Sequence, residues 1–405
     1  MIKRKKKKGI GVLSLKDEQK LSLSKTYDYG LIFCVIVLTC IGAVLCTSAI
    51  SSFTNFSTML RNQIFSIIIG IILCVVISVM DYDYFRVFGV IGYVVTLGIL
   101  VLVLFKGVEV GGAKSWIRLP VLGMFQPSEL SKVTTIMVAS IFFARLKDNE
   151  GRRWLNILAI MATCAIPLGL IVLQNDTGTA MIYMFAIAVM LFVYGVKFRY
   201  IFICAGAGLA ALPYIWFNVL KDHQKGRILA VLQPELYVET YSYNIIRAQK
   251  AIISGGLSGK GMLNGDLTAS YYVPVQESDF IFSVAGEEMG FLGCVFLLCL
   301  IFGILAWMYW IGLSSKNNYG AFLVVGMTSM LTFQYAENIC GCLGIFPLTG
   351  IPLPFVSQGG TAMIVNFMLL GIVLSVSARR DRSSHVYDAS TKRTYEDSKT
   401  ISEYT

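Results

Sequence analysis

Residues 29–50 read YGLIFCVIVLTCIGAVLCTSAI, twenty-two positions without one Asp, Glu, Lys or Arg. About 20 consecutive apolar residues reach across the hydrocarbon core of a bilayer as a helix. The run is longer than the apolar core of a signal peptide, and the chain keeps returning to the membrane after it. On the same template, segments follow near 63–80, 86–105, 130–146, 154–173, 179–196, 199–219, 280–312, 320–343 and 360–378, ten in all. The expectation is an all-α integral membrane protein of about ten transmembrane helices, with a large extracytoplasmic loop between the seventh and eighth. With 56% hydrophobic and only 14% charged residues, the chain is too apolar for an ordinary soluble domain and needs lipid as its solvent.

The net charge of +10 includes the opening run Lys3, Arg4, Lys5, Lys6, Lys7 and Lys8. Beside an apolar segment such a run marks a cytoplasmic flank drawn to anionic lipid, not a nucleic-acid surface. Threading the chain from there puts Arg145–Arg153, Lys197–Arg199, Lys316 and Arg379–Arg382 on the same side, so five basic clusters agree on one topology. Both termini then lie in the cytoplasm, and loops 106–129, 220–279 and 346–360 lie outside. The tails, 1–28 and 379–405, are polar and lack an apolar face, which predicts disorder or a membrane-surface position; 29–378 forms one membrane domain.

Cysteine and histidine usage narrows the chemistry. All ten cysteines fall in or beside apolar stretches, without a CxxC, and read as small buried hydrophobes. His223 and His385 are the only histidines, too few for a histidine metal site or a Ser/His/Asp triad. Acid and base work therefore falls to carboxylates.

Those carboxylates gather outside the spans. The loop at 220–279 is about 60 residues long, far beyond a simple connection. It contains SGGLSGKGMLNGD (254–266) and runs into YYVPVQESDFIFSVAGEEMG (271–290). Asp279 stands where polar loop becomes apolar helix, the place of an N-cap. Glu287 and Glu288 follow among apolar residues, where an ionisable group requires a partner. In GGAKSWIRLPVLGMFQPSELSK (111–132), Lys114 and Arg118 precede Glu129 and Lys132, which are spaced to pair on one helix face. Asp176 in QNDTGTA opens the sixth span, again as a cap. Arg227, Arg247, Lys250 and Lys260 add cations to the long loop, and cations beside carboxylates suit an anionic headgroup such as a pyrophosphate. Finally, FPLTGIPLPFVSQGG (346–360) carries Pro347, Pro352 and Pro354 in an apolar run. No regular helix survives that, so the segment is expected to be an irregular loop walled by protein, against the active groove.

Taken in chain order, the four runs GGAKSWIRL…FQPSELSK, QNDTGTA, SGGLSGKG…VPVQESDFIFSVAGEEMG and GIFPLTGIPLPFVSQGG, spaced from about residue 105 to 378, resemble the SEDS family (shape, elongation, division and sporulation), which includes RodA, FtsW and SpoVE. The look of AENICGCLGIFPLTGIPLPF is more RodA-like than FtsW-like. Asn175 and Gln358 depart from the family's usual proline and tyrosine, without removing a charge.

The resemblance implies a peptidoglycan glycosyltransferase that polymerises lipid II into glycan strands during elongation or division and releases undecaprenyl pyrophosphate. It implies a place in the bacterial plasma membrane and a class B penicillin-binding protein as partner. The family's essential aspartate corresponds to Asp279, which becomes the catalytic candidate. Lys114, Arg118, Glu129, Lys132, Asp176, Arg227, Lys260 and Glu288 are the substrate-binding candidates, and a divalent cation, Mg2+ or Mn2+, would suit the leaving pyrophosphate. A lipid-precursor flippase or transporter, or a non-catalytic cell-wall scaffold, are the rival readings. Transporters place their sites near the midplane between repeats, whereas here the polar clusters sit in outer loops.

Overall fold

A computed structural model describes residues 27–119, 123–197, 221–238 and 242–380, with scattered positions between 198 and 220. Nine of the ten expected spans are helices: α1 Tyr29–Ala49, α2 Phe56–Val79, α3 Phe85–Lys106, α4 Pro127–Lys147, α5 Arg153–Leu173, α6 Thr177–Tyr194, and, after the long loop, α9 Ile281–Leu313, α10 Asn318–Cys342 and α11 Gly360–Ala378. The expected span at 199–219 falls mostly outside the described residues, as do both tails.

The loops hold more structure than their composition suggests. Segment 106–129 forms a small antiparallel sheet in the order β1 Val108–Val110, β2 Ala113–Leu119, β3 Gly123–Phe125. The 220–279 loop folds into α7 Asp222–Leu232, α8 Tyr243–Ser254 and a single turn at Asp266–Ala269.

Among the described residues seven helices are long and apolar enough to cross a membrane; α4 and α10 are not among them. The reason is their position. Nearly every α4 residue from Pro127 to Leu146 is buried, charged Glu129 and Lys132 included, and α10 buries Gln334, Glu337 and Asn338. Helices α2, α3 and α5 instead expose Ile68, Ile72, Val87, Val94, Leu158 and Met161. Polar groups inside and apolar ones outside is the pattern of a bundle solvated by lipid. Among the described cysteines none is paired, but Cys40 and Cys299 are exposed on that apolar outer surface, where burial was expected.

The two ends of the membrane domain are tied together. Arg380 Nη2 lies 2.9 Å from Asp28 Oδ2, both residues buried. The same guanidinium stacks 4.1 Å from the Trp310 ring of α9 and donates to Ser314, while Ser377 donates to Asp28. One planar cation thus joins α1, α9 and α11, which a lysine cannot reproduce. Arg380→Ala leaves the Asp28 carboxylate buried without its guanidinium, at a cost of about 3–5 kcal/mol. A clear fall in the detergent melting temperature is expected, with Arg380→Lys in between; an unchanged melting curve would refute the role of this tie.

Candidate active site

Helix α9 is broken. Gly290 (φ 66°, ψ −168°) interrupts it, separating Ile281–Met289, almost wholly buried, from a segment that exposes Phe291, Leu292, Phe296 and Phe302. A break leaves backbone donors and acceptors without helical partners, and at membrane depth protein must supply them. The glycine-rich run after α8 does so. Lys260 N and Gly261 N donate to the Glu287 and Glu288 carbonyls, both at 3.0 Å, and Phe291 N and Leu292 N donate to the Gly256 and Leu257 carbonyls at 2.9 and 3.1 Å. Two backbones this close tolerate no side chain: a Cβ on Gly259 would lie 2.1 Å from the Glu288 carbonyl oxygen, and one on Gly290 2.2 Å from Gly259 N. SGGLSGKG and AGEEMG are therefore two halves of one joint.

Two of the expected headgroup ligands belong to that joint. Lys260 Nζ contacts Glu287 Oε1 at 2.7 Å, and Glu287 also accepts from Leu267 N, Thr268 N and Thr268 Oγ1 at 2.7–2.9 Å. Glu288 accepts from Ser48 of α1. Both carboxylates pin the long loop to the bundle.

The joint presents residues 276–280. Asp279 does not cap the helix as its position suggested, because the N-cap is Phe280 and no side chain caps α9. Its Oδ1 accepts from Ser278 Oγ at 3.1 Å. Its main-chain carbonyl is held by Asn338 Nδ2 at 2.9 Å, and the same amide donates to Ile351 O at 2.9 Å. The irregular 346–359 loop packs beneath, as its prolines require. Ser357 Oγ bonds Ser278 O, Gln358 N bonds Glu277 O at 2.9 Å, and Tyr335 OH bonds Pro354 O at 3.0 Å. Gly350, with φ +85°, brings the loop under the carboxylate; a Cβ there would meet Asp279 Oδ2 at 3.4 Å.

Asp279 keeps part of its surface open, yet it is densely surrounded. Burial pushes its carboxyl up to about 6, with the Glu277 charge adding to the rise and the Ser278 hydrogen bond and Arg227 charge opposing it. Burial raises Glu277 as well. Glu337 of α10 is a residue the sequence reading passed over. Its Oε1 accepts from Thr349 N and Thr349 Oγ1, both at 2.7 Å, and it shares the electrostatic neighbourhood of Asp279 and Arg227. Its Oε2 is buried with no partner among the described residues. A carboxylate inside the apolar stretch around AENIC was the signal available.

A second polar cluster adjoins the first. Asp176 caps α6 as expected, accepting from Thr179 N at 3.0 Å, and also accepts from Gln126 Nε2 at 3.0 Å. Lys132 and Glu129 form the expected pair at 2.7 Å, fully enclosed. Burial raises the Asp176 carboxyl; the Thr179 bonds and Lys132 charge hold it down, and Glu129 pushes it up. Thr349 of the 346–359 loop lies against Gly178 at the start of α6, so both clusters share one wall.

Arg227 on α7 reaches the β1–β2 turn, 3.4 Å from Gly111 O, and its charge acts on both Asp279 and Glu337. Lys114 instead donates to Leu104 O and Phe105 O at the end of α3, which suits a helix C-terminus. Arg118 is exposed on β2. The structure thus gathers Asp279, Glu337 and Arg227 beside Asp176, Glu129 and Lys132; Lys260 and Glu288 are engaged in the joint, the Lys114 ammonium at the end of α3, and Arg118 is exposed on β2.

A family model described as a cell cycle protein, of the FtsW, RodA and SpoVE type, matches residues 29–382. The chain belongs to this family. A probable peptidoglycan glycosyltransferase FtsW of Trichlorobacter lovleyi is 32% identical over 87% of this chain and 93% of its own length. The peptidoglycan glycosyltransferase MrdB of Escherichia coli is 30% identical over 80% of this chain and 86% of its own. Among solved structures, one from a study of polymerization and crosslinking by a peptidoglycan synthase complex superposes with a TM-score of 0.76 at 29% identity, covering 88% of this chain and 99% of that one. The rod shape determining protein RodA of Thermus thermophilus superposes at 0.65 and 26% identity, over 88% and 98%. SEDS relatives under both the division and the elongation name therefore lie at nearly equal distance.

The joint makes a sharp test of what positions Asp279 in this SEDS chain. Gly259→Ala drives a methyl into the Glu288 carbonyl and is expected to lower the melting temperature and activity together. Gly98→Ala, with nothing within 4 Å of the new Cβ, is the control and should change neither. Equal behaviour of the two variants would dismiss the joint.

Proposed function

We propose that this protein is a membrane peptidoglycan glycosyltransferase that polymerises lipid II, with Asp279 as general base. The observation that carries the reading is Asp279 itself: it caps no helix, enters no ion pair among the described residues, and has its pKa raised by burial to about 6. A base works best when its pKa approaches the operating pH, where it contributes about 10²–10⁴ in rate.

In the reaction the acceptor sugar's 4-hydroxyl oxygen forms a bond to carbon 1 of the lipid-linked donor. Its proton passes to Asp279, and the bond from carbon 1 to the pyrophosphate oxygen breaks with its electron pair leaving on undecaprenyl pyrophosphate. Direct displacement inverts carbon 1. Arg227 is the cation that faces the developing pyrophosphate charge. Lys132 stays bound to Glu129 and orders the neighbouring wall with Asp176. Glu337 holds Thr349 and so the loop under Asp279.

A divalent cation, Mg2+ or Mn2+, fits only as an ion shared with substrate, because among the described residues no three His, Cys, Asp or Glu side chains converge, and magnesium commonly takes one or two carboxylates plus substrate phosphates. Bound there, it would neutralise charge on the leaving pyrophosphate. The basic clusters at the end of the bundle opposite Asp279 support cytoplasmic termini and an extracytoplasmic site. The class B penicillin-binding protein remains the expected partner, in keeping with the polymerization and crosslinking named for the synthase complex.

Two measurements test this. Purified protein with a candidate transpeptidase partner, fluorescent lipid II and a divalent cation should yield a glycan ladder, and Asp279→Asn, folded, should lose it by at least two orders of magnitude. No ladder from a folded complex, with transbilayer lipid II movement instead, would make the protein a carrier. The pH profile supplies the second. An ionised base is needed, so the rate should fall as pH drops through about 6. Removing the opposing cation with Arg227→Gln should move that acid limb to higher pH, whereas Glu277→Gln should move it lower. Limbs that stay fixed in both variants would take the titrating role from Asp279.

A further inference from the structure

A cavity of about 880 Å3 opens at the end of the bundle opposite Asp279, between α4, α5 and α6. Its placement follows from helix direction, since α4 and α6 start beside Asp279 and finish here, while α5 starts here. It lies far from the chemistry described above and calls for its own occupant. Its walls are apolar: Ile157, Ile160, Met161 and Cys164 of α5 face Ile187 and Leu191 of α6. Ile157, Met161 and Leu191 are also exposed, so the cavity continues into the surface that meets lipid chains.

The mouth is cationic, formed by Lys147, Arg153 and Lys197. Lys147 Nζ donates to Tyr194 O at 3.0 Å, answering the C-terminus of α6. Arg153 and Lys197 make no hydrogen bond or ion pair with any described residue. The first turn of α5, which Arg153 opens, carries no acidic residue and no side-chain cap, leaving the positive end of that helix at the same mouth. Asp148 and Glu150 share the adjoining loop, but neither lines the cavity, and Asp148 is held by Asn318 of α10. Apolar depth, lateral opening to the bilayer and a cationic rim together describe an amphiphile with an anionic head, and the volume lies within the usual range of ligand sites.

We propose that this cleft binds one anionic phospholipid, its phosphate at Arg153 and Lys197 and an acyl chain between α5 and α6. The inference stands on this end of the bundle alone and does not depend on polymerase activity. The site selects charge in the head and apolarity in the tail, so phosphatidylglycerol is held and phosphatidylcholine is not.

Native mass spectrometry of the full-length protein, titrated with phosphatidylglycerol or phosphatidylcholine, tests this without an activity readout. Wild type should retain one phosphatidylglycerol through delipidation. The double variant Arg153→Ser/Lys197→Ser, altered only at exposed positions, should bind it about thirty-fold more weakly, from about 1 kcal/mol for each cation lost. Leu191→Trp, which fills the groove without touching its charges, should also displace the lipid while leaving the melting temperature unchanged. Equal retention of both lipids, retention indifferent to the double variant, or a bound polypeptide in place of lipid would each overturn the proposal.

Discussion

A helix interrupted inside a membrane protein has to find partners for the backbone groups that the break releases, and the architecture around Asp279 follows from how this chain finds them. Four hydrogen bonds between residues 256–261 and 287–292 close the gap at Gly290. They also decide where the inner segment Ile281–Met289 sits, and hence where residues 276–280 emerge. Glu287 and Glu288 then spend their charges on Lys260, Thr268 and Ser48, anchoring the loop instead of meeting a substrate. The desolvation cost of the buried Glu287 carboxylate is met by donors fixed in place, the condition under which buried ionic groups are tolerated.

The same economy of backbone bonding runs through the wall beneath the site. Asn338 holds Asp279 O and Ile351 O with one amide, and Glu337 holds Thr349 by its main chain and hydroxyl together. Helix α10 therefore positions the irregular loop and the reactive segment from a single face. Because Thr349 abuts Gly178, the loop under Asp279 also packs against the start of α6 beside the Asp176, Glu129 and Lys132 cluster. An unpartnered Glu337 oxygen within this wall shows that its hydrogen bonding is incomplete among the described residues.

Much of this was legible before any coordinates. Apolar runs near the bilayer length located nine helices, the prolines of 346–360 foretold a non-helical wall, and the spacing of Glu129 and Lys132 foretold their pair. Other features were hidden for physical reasons. Gly290 follows Glu287 and Glu288 inside a span whose mean hydropathy stays high, so hydropathy alone does not mark the break; the three-dimensional approach of Gly259 explains both glycines. Lys260 and Glu288 have the composition of ligands, and composition does not say which partner a charge finds. Asp279 resembled a cap because a polar residue before an apolar run is the cap signature, but the helix begins one residue too late for its carboxylate to serve.

The polar interiors of α4 and α10 bear on how the chain is made. Helix α4 carries Glu129 and Lys132 in its first two turns and is not among the described helices apolar enough to cross a membrane, so it is a poor candidate to leave the translocon alone. Its neighbours α3 and α5 are apolar enough to wait in the bilayer, and the Glu129–Lys132 pair can form within α4 itself, three residues apart. Helix α4 therefore depends on flanking spans to shield it from lipid, and the polar wall beside Asp279 is complete only once those helices have packed together.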